Sequence, residues 1–185
     1  MIDDVLLDAE DKMEKAVEAT QNEFAAIRSG RANAAMFNPI MVEYYGAQTP
    51  LQQLASIAVP EARLVLITPY DRTAMHAIEK AIAESDLGLN PTDDGNVLRI
   101  NMPPLTEERR KEYVKLARAK SEDGKVSVRS ARRRALDALE KIKKDGEAGE
   151  DEVKRAQDQV ETLTKQYVDK VDGLLDKKEK ELLEV

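Results

Sequence analysis

Apolar residues recur every three or four positions over long stretches at both ends of the chain, which is the period of one helix face. The first stretch predicts a helix over residues 2–28. Ser29 and Gly30 would end this helix, because glycine is favoured just after a helix C-terminus. The apolar stripe along it needs partner helices to cover it.

The second stretch predicts a helix that begins after Leu105, with Thr106 as its N-cap and two glutamates where the helix dipole favours acids. Gly124 lies in the middle of this helix and marks either a weak point or a close approach of a neighbour. A turn at residues 145–149 separates it from a third helix at about residues 151–183. Three such stripes predict an elongated three-helix bundle of the antiparallel type.

Between the helical stretches the apolar pattern changes to that of strands, and all seven prolines of the chain lie there. Short β-branched or aromatic runs, bounded by Gly, Pro and Asn, predict four strands. A helix capped by Asp71 is predicted from Asp71 to Ser85. The middle of the chain is therefore interpreted as a small β/α/β sandwich. The predicted strands are residues 40–45, 54–59, 62–67 and 97–100.

The predicted fold class is α+β, with an elongated three-helix bundle and a small inserted β/α/β sandwich domain. The bundle takes residues 1–29 and 105–185, and the inserted domain takes residues 31–103. The chain crosses between them at residues 29–31 and 102–105. A glycine crossing beside a Pro-Pro crossing favours a hinge, and two rigidly packed linkers are the alternative. The hinge residues are Ser29, Gly30, Arg31, Pro103, Pro104 and Leu105.

The charge is distributed unevenly along the chain. The whole chain carries a net charge of −7, whereas residues 105–144 hold fourteen Lys/Arg against seven Asp/Glu. A basic stretch inside an acidic chain suggests one surface meant for a polyanion. On a helical wheel four basic residues share one arc, near a quarter turn from the apolar stripe. These residues are Arg118, Lys125, Arg129 and Arg132.

Two kinds of counter-surface could offset the repulsion within this arc. Arg129 forms like-charge pairs with Arg132 and Arg133, which destabilise an isolated helix. Acids of the other two helices could neutralise the arc internally, and phosphates could do so externally. Three arginines favour phosphate, because a guanidinium forks onto phosphate oxygens. Only seven aromatic residues are present, so recognition of folded RNA by backbone and shape is favoured over single-strand reading.

Enzyme chemistry is not indicated. The single histidine, His76, lies on the short predicted helix, where an exposed or core-edge position is favoured over a general base. Residues 88–95 have turn residues without the spacing of a phosphate loop, and the ligands of a calcium loop are missing. No catalytic residue, metal site or cofactor is expected.

Compartment signals favour a soluble cytoplasmic protein. Cysteine is absent, which excludes disulfides and fits a reducing compartment. The N-terminus is acidic where a signal peptide needs basic residues. No apolar run approaches the roughly 18 residues of a membrane span, so no membrane partner is expected.

Five motifs, in order along essentially the whole chain, resemble the ribosome recycling factor family. This resemblance implies a two-domain, L-shaped protein with transfer-RNA-like dimensions and a flexible hinge. It implies binding to the post-termination ribosome, where elongation factor G and GTP hydrolysis would drive subunit splitting and release of messenger and transfer RNA. The motifs are IRSGRA at 27–32, VEYYG at 42–46, SDLGLNP at 85–91, PPLTEERR at 103–110 and RxxRR at 129–133, with KEKE at 178–181 also similar to the family's ending.

The resemblance also implies partners and contacts. Ribosomal RNA of the large subunit would be gripped by the bundle, elongation factor G would push the mobile domain, and the factor would be a monomer. The family's RNA-binding arginines carry over to Arg110, Arg129 and Arg132, with Arg133 beside them.

Two positions depart from the family's pattern. Ser130 stands where Asn is usual, which leaves any contact there open. Arg134 stands where an acid is usual, and on the wheel it points away from the arc. The alternative function is a coiled-coil adaptor whose basic helix face binds acidic protein partners.

Overall fold

The computed structural model describes residues 1–184, and the chain divides into two compact units. Unit 1 comprises Met1–Phe24 and Lys115–Glu179, and unit 2 comprises Ala25–Val114 together with the residues from Lys180 onward. The divisions fall within helices rather than at the crossings predicted from the Gly and Pro-Pro signals. The predicted domain limits and hinge stay predictions.

Within residues 1–184 the chain forms five α-helices and six strands. The three long helices confirm those predicted from the apolar period. The helices are α1 (Ile2–Ala26), α2 (Leu51–Leu54), α3 (Met75–Ala83), α4 (Glu107–Lys144) and α5 (Glu150–Leu183). The strands are β1 (Met41–Tyr44), β2 (Ala47–Pro50), β3 (Ala55–Glu61), β4 (Leu64–Pro69), β5 (Thr92–Asp93) and β6 (Leu98–Asn101).

Unit 1 is a bundle of the greater parts of α1, α4 and α5. Both α1 and α5 run antiparallel to α4, which follows from the order of the residues that meet along each pair of helices. Buried side chains of all three helices, most of them aliphatic, form two clusters, one around Leu139 and Val160 and the other around Met13, Val128 and Tyr167. Each helix therefore covers the apolar stripe of the others, as the pattern predicted.

Gly124 marks a close approach of α4 to α1. A Cβ at this position would overlap the hydroxyl of Thr20, which is buried and donates a hydrogen bond to the Ala16 carbonyl at 2.9 Å. The helix continues through Gly124 without a break. Close packing, and not a weak point, therefore explains this glycine.

Unit 2 contains two antiparallel sheets and the helix α3. Strands β1 and β2 form a hairpin, and the second sheet has the order β3-β4-β6-β5. The predicted strands correspond to β1, β3, β4 and β6. Strands β2 and β5 were not predicted, because their sequences, AQTP and TD, are short and contain no β-branched or aromatic apolar run, and neither strand has a fully buried residue. The buried core includes Phe37, Leu51, Ile67, Ile78 and Ile100.

Two polar details order the start of α3 and the β1–β2 hairpin. Asp71 accepts a hydrogen bond from the Thr73 backbone N–H at 2.9 Å, and it is the N-cap of a 3-10 turn at Arg72–Ala74. Its capping role is therefore confirmed for this turn, whereas α3 itself begins only at Met75 and ends at Ala83, inside the predicted bounds of 71 and 85. The hydroxyl of Tyr44 donates to Asp71 Oδ2 at 2.6 Å. This hydrogen bond raises the pKa of Tyr44 to about 12 and lowers the pKa of the Asp71 carboxyl.

Candidate nucleic-acid interface

The predicted basic arc lies on one side of α4 within unit 1. Small and aliphatic residues such as Val128 and Ala131 face the bundle core. Their burial leaves the neighbouring positions of the helix facing outward. Lys125 and Arg132 are half-buried at the edge of the core, whereas Arg129 is exposed.

Three cations of α4 form ion pairs with carboxylates of α5, and we call these three pairs the ladder. The cations follow one another at intervals of seven residues, which is about two helical turns. Acids of a neighbouring helix therefore neutralise part of the arc, as one of the two interpretations of the sequence allowed. The pairs are Arg118 with Glu179 at 2.7 Å, Lys125 with Asp172 at 2.6 Å and Arg132 with Glu161 at 2.9 Å.

Arg132 is held by two of its nitrogens. Its Nε lies 3.0 Å and 3.1 Å from the two carboxylate oxygens of Glu161, and Nη2 lies 2.9 Å from Oε1. This hydrogen bonding raises the pKa of Arg132. The hydrogen bond from Lys125 to Asp172 likewise raises the pKa of the Lys125 ammonium group. Both cations stay charged and are oriented by α5.

Arg129 and Arg133 differ from the ladder cations. Both side chains are exposed, and among the described residues neither has a carboxylate partner. They are four residues apart and so lie on the same side of α4 as each other, with Arg132 at the adjacent position. Arg134 is also exposed and unpaired, but the helical period places it on another side of α4. Ser130 is exposed.

Arg110 belongs to unit 2 and is not brought together with the other predicted contacts inside one unit. It is half-buried, and its Nε is buried without a hydrogen-bond partner. The adjacent Arg109 donates from Nη1 to the Asp86 carbonyl at 2.9 Å and to the Tyr113 hydroxyl at 3.3 Å. The hydrogen bond to Tyr113 raises the pKa of Arg109.

Arg28 is a buried arginine of unit 2 that the sequence interpretation did not single out. Its side chain is 4% exposed, and its guanidinium donates to the carbonyl of Leu87 at 3.4 Å and to the carbonyl of Pro103. Burial lowers the pKa of Arg28. The available signal was its place in the IRSGRA motif, directly after the buried Ile27 of the apolar stripe.

The predicted hinge residues all lie in unit 2. Ser29 accepts a hydrogen bond from the Arg31 backbone N–H at 3.3 Å through its side-chain oxygen, and Arg31 is exposed. The Pro103 carbonyl accepts from Arg28, and Leu105 is buried. The remaining two predicted hinge residues are the half-buried Gly30 and the exposed Pro104.

In the part of the chain that the structure describes, no group of three or more His, Asp or Glu side chains could hold a metal ion. His76 is exposed on α3. Among the described helices, α1 to α5, none combines the length and hydropathy needed to cross a membrane.

The fold and the exposed arginines define an α+β helical-bundle protein with a positively charged face on one long helix. Residues 20–183 match the family model described as "Ribosome recycling factor". The chain belongs to the ribosome recycling factor family. This confirms the resemblance that the five sequence motifs indicated.

Curated relatives and solved structures agree with this family. The chain is 65% identical to the ribosome-recycling factor of Beutenbergia cavernae and 65% identical to that of Kineococcus radiotolerans, and both alignments cover all of each chain. A solution structure of the ribosome recycling factor is similar with a TM-score of 0.74 and 44% identity, covering 100% of this chain and 98% of that one.

A second solved structure shows a relative in a larger complex. It is described as the T. thermophilus ribosome recycling factor and the E. coli elongation factor G bound to the E. coli post-termination complex. The matched chain has a TM-score of 0.69 and 43% identity, and the alignment covers 100% of both chains. The comparisons thus favour the recycling interpretation over the coiled-coil adaptor.

Proposed function

We propose that this chain is a cytoplasmic translation factor, not an enzyme, that recycles ribosomes after termination. It binds the post-termination ribosome and acts with elongation factor G and GTP hydrolysis to split the subunits and release messenger and transfer RNA. Family membership over residues 20–183 supports this function. The solved complex of a relative with elongation factor G on a post-termination ribosome supports the choice of partners.

The observation that carries the RNA-binding part is the unpaired state of Arg129 and Arg133. Two exposed guanidinium groups on one side of a helix repel each other, and no carboxylate in the described residues offsets this repulsion. Phosphates of ribosomal RNA would supply the missing counter-charge, and each guanidinium can take a phosphate through two parallel hydrogen bonds.

Arg132 would add an oriented contact beside these two arginines. Glu161 occupies its Nε and Nη2, while Nη1 has no hydrogen bond in the described structure. Arg118 and Lys125 would contact RNA further along the same side of α4, and Arg110 would contribute from unit 2. Stacking surfaces are few, so contacts to the RNA backbone would dominate.

The test is co-sedimentation with large ribosomal subunits. The double variant Arg129→Ala, Arg133→Ala is expected to lose at least about tenfold in affinity, because two phosphate contacts are removed. For a match in charge, the single variants Arg129→Ala and Arg133→Ala are compared with Arg134→Ala, which also removes one unpaired arginine from the same helix but from another side. Equal binding by the double variant and the wild type would contradict the proposed interface.

A moving domain is the second part of the proposal. Residues 29–31 and 102–105 would form a hinge between a bundle at 1–29 and 105–185 and an inserted domain at 31–103. The chain has no cysteine, so one cysteine introduced into each domain can be cross-linked without side reactions. Cross-linked protein should still bind large subunits but should fail to split ribosomes with elongation factor G and GTP. Normal splitting by the cross-linked form would refute the hinge.

A further inference from the structure

We infer that three α5 carboxylates, those of Glu161, Asp172 and Glu179, determine the RNA specificity of the α4 face by competing with phosphates for the ladder cations. An RNA whose phosphates do not match the ladder would meet only Arg129 and Arg133. This inference rests on the proposed RNA-binding role of α4. It gives the three acids of α5 a role in RNA specificity, although they would not contact RNA themselves.

The register of α5 against α4 supports this role. The three cations are spaced by seven residues, and the antiparallel α5 places one acid opposite each of them. At about 1.5 Å per residue, successive ladder steps lie roughly 10 Å apart along α4. The cations therefore form a row at a regular spacing, whereas their acids are 11 and 7 residues apart along α5. A set of phosphates must match the spacing of the cations to replace the acids.

The exposure of the three acids makes such a replacement possible. The side chains of Glu161 and Asp172 are 50% and 47% exposed, and that of Glu179 is 24% exposed. Among the cations, Arg118 and Arg132 are 67% and 39% exposed, and Lys125 is 15% exposed. Ion pairs that contact solvent contribute little to stability, so opening the Arg118 and Arg132 pairs costs the fold little, and the Lys125 pair is the hardest of the three to open. A buried pair would not be exchangeable, because breaking it leaves an uncompensated charge.

The charge count of the face explains why such competition would be useful. Binding to unrelated RNA depends mainly on the number of phosphates that a protein neutralises. Without the three acids, Arg118, Arg129, Arg132 and Arg133 would have no carboxylate partner, and Lys125 would keep only Glu122 of its own helix at 3.3 Å. These cations would attract any polyanion. With the ladder closed, only Arg129 and Arg133 are unpaired.

The test compares two triple variants of α5 that change the net charge equally. The ladder variant is Glu161→Gln, Asp172→Asn, Glu179→Gln. The control variant is Asp158→Asn, Asp169→Asn, Asp176→Asn, whose exposed side chains have no ion pair in the described structure. Each control position lies three residues before a ladder acid, so spacing and helix are the same. The helical period turns the control positions away from the buried stripe of α5.

The probes are large ribosomal subunits and a short RNA duplex of unrelated sequence, titrated over a range of salt concentrations. The ladder variant is expected to bind the unrelated duplex about tenfold more tightly than the wild type. Its plot of log affinity against log salt should be steeper by about 0.9 for each released cation. Binding to large subunits should change less, so the preference for the subunit falls. The control variant should show the same slope of log affinity against log salt as the wild type.

The opposing results are distinct. Equal changes of the salt slope in both triple variants would mean that only net charge matters. Unchanged salt slopes in both would mean that the acids do not compete with phosphates. Either result overturns the inference. Weaker binding of the ladder variant to both probes would overturn it as well, since the acids would then be orienting the cations. The single variant Glu161→Gln, expected to show one third of the slope change, tests the same point with a smaller perturbation of the fold.

The failure of the proposed function is visible separately. It would appear as unchanged large-subunit binding after Arg129→Ala, Arg133→Ala, whatever the α5 variants do. Thermal unfolding followed by circular dichroism checks that all of these variants keep the helical content of the wild type.

Discussion

Arginine side chains occupy two different environments in this protein. Those of α4 in unit 1 face solvent or a carboxylate, whereas Arg28 and Arg109 of unit 2 donate hydrogen bonds to backbone carbonyls. In unit 1, Arg129 and Arg133 are exposed and Arg132 contacts a half-exposed carboxylate. In unit 2, Arg28 is buried and donates to backbone carbonyls that lie far away in the sequence.

This difference separates stability from binding. A buried guanidinium that satisfies backbone carbonyls stabilises the fold, because removing it leaves buried acceptors without partners. An exposed guanidinium contributes little to stability and remains available to a ligand. The buried Arg28 should therefore be sensitive in unfolding experiments, and the arginines of the α4 face should be sensitive in binding experiments.

The largest expected effect on stability is that of Arg28→Ala. The free energy of unfolding should fall by about 2–3 kcal/mol, since the carbonyls of Leu87 and Pro103 lose a charged donor. Urea unfolding measures this loss. Arg72→Ala, an exposed arginine of the same unit without an ion pair, is the control and should change the stability by less than about 0.5 kcal/mol. An equal loss of unfolding free energy in both variants would contradict the distinction between buried and exposed arginines.

The next effect concerns the close packing of α4 against α1 at Gly124, which contributes to the stability of unit 1. Gly124→Ala should destabilise by about 1–2 kcal/mol, because the new methyl group overlaps the buried Thr20 hydroxyl. Gly173→Ala on α5 is the control, since nothing lies within 4 Å of the added Cβ, and it should stabilise by about 0.5–1 kcal/mol. Thermal unfolding of both variants gives the comparison. Stabilisation by Gly124→Ala would contradict the close packing.

A smaller effect on stability is expected for Arg132→Ala in unit 1. The ion pair with Glu161 is partly exposed, so its loss should lower the free energy of unfolding by at most about 1 kcal/mol. The same variant should clearly weaken co-sedimentation with large subunits. A large loss of stability with normal sedimentation would place Arg132 with the structural arginines of unit 2.

The smallest effect is a shift of one carboxyl pKa in unit 2. Tyr44→Phe removes the hydrogen bond that lowers the pKa of Asp71, so this pKa should rise toward its ordinary value. Because the folded-state pKa of Asp71 is lowered, its contribution to stability is complete above the ordinary carboxyl pKa of about 4 and is lost as the pH falls through the lowered value. NMR titration of the Asp71 carboxyl carbon measures the shift. An unchanged pKa in Tyr44→Phe would show that Thr73 alone holds the carboxylate.

The long helices could be predicted from sequence because their apolar residues repeat with the period of a helix face. The cap at Asp71 was also predictable, since capping depends on local residues. Strands β2 and β5 were missed, because each is short, has no fully buried residue and so lacks an apolar pattern.

The candidate site was predictable only in part. The helical wheel placed Arg118, Lys125, Arg129 and Arg132 together from their spacing alone. It could not show that Arg132 faces Glu161, because this depends on the register of two helices joined by a turn. The role of Arg28 was hidden for the same reason, since its acceptors are carbonyls 59 and 75 positions away.

The central claim is that the α5 acids neutralise the ladder cations, whereas Arg129 and Arg133 stay available to RNA. The salt dependence of binding to an unrelated RNA duplex tests this claim most directly. Two double variants that each remove two positive charges are compared: Arg129→Ala, Arg133→Ala and Arg118→Ala, Lys125→Ala. Removing the unpaired cations should flatten the slope of log affinity against log salt by about 1.8. Removing the ladder cations should change that slope by less than about 0.5, because their carboxylates already neutralise them. Equal slopes in the two variants would contradict this claim.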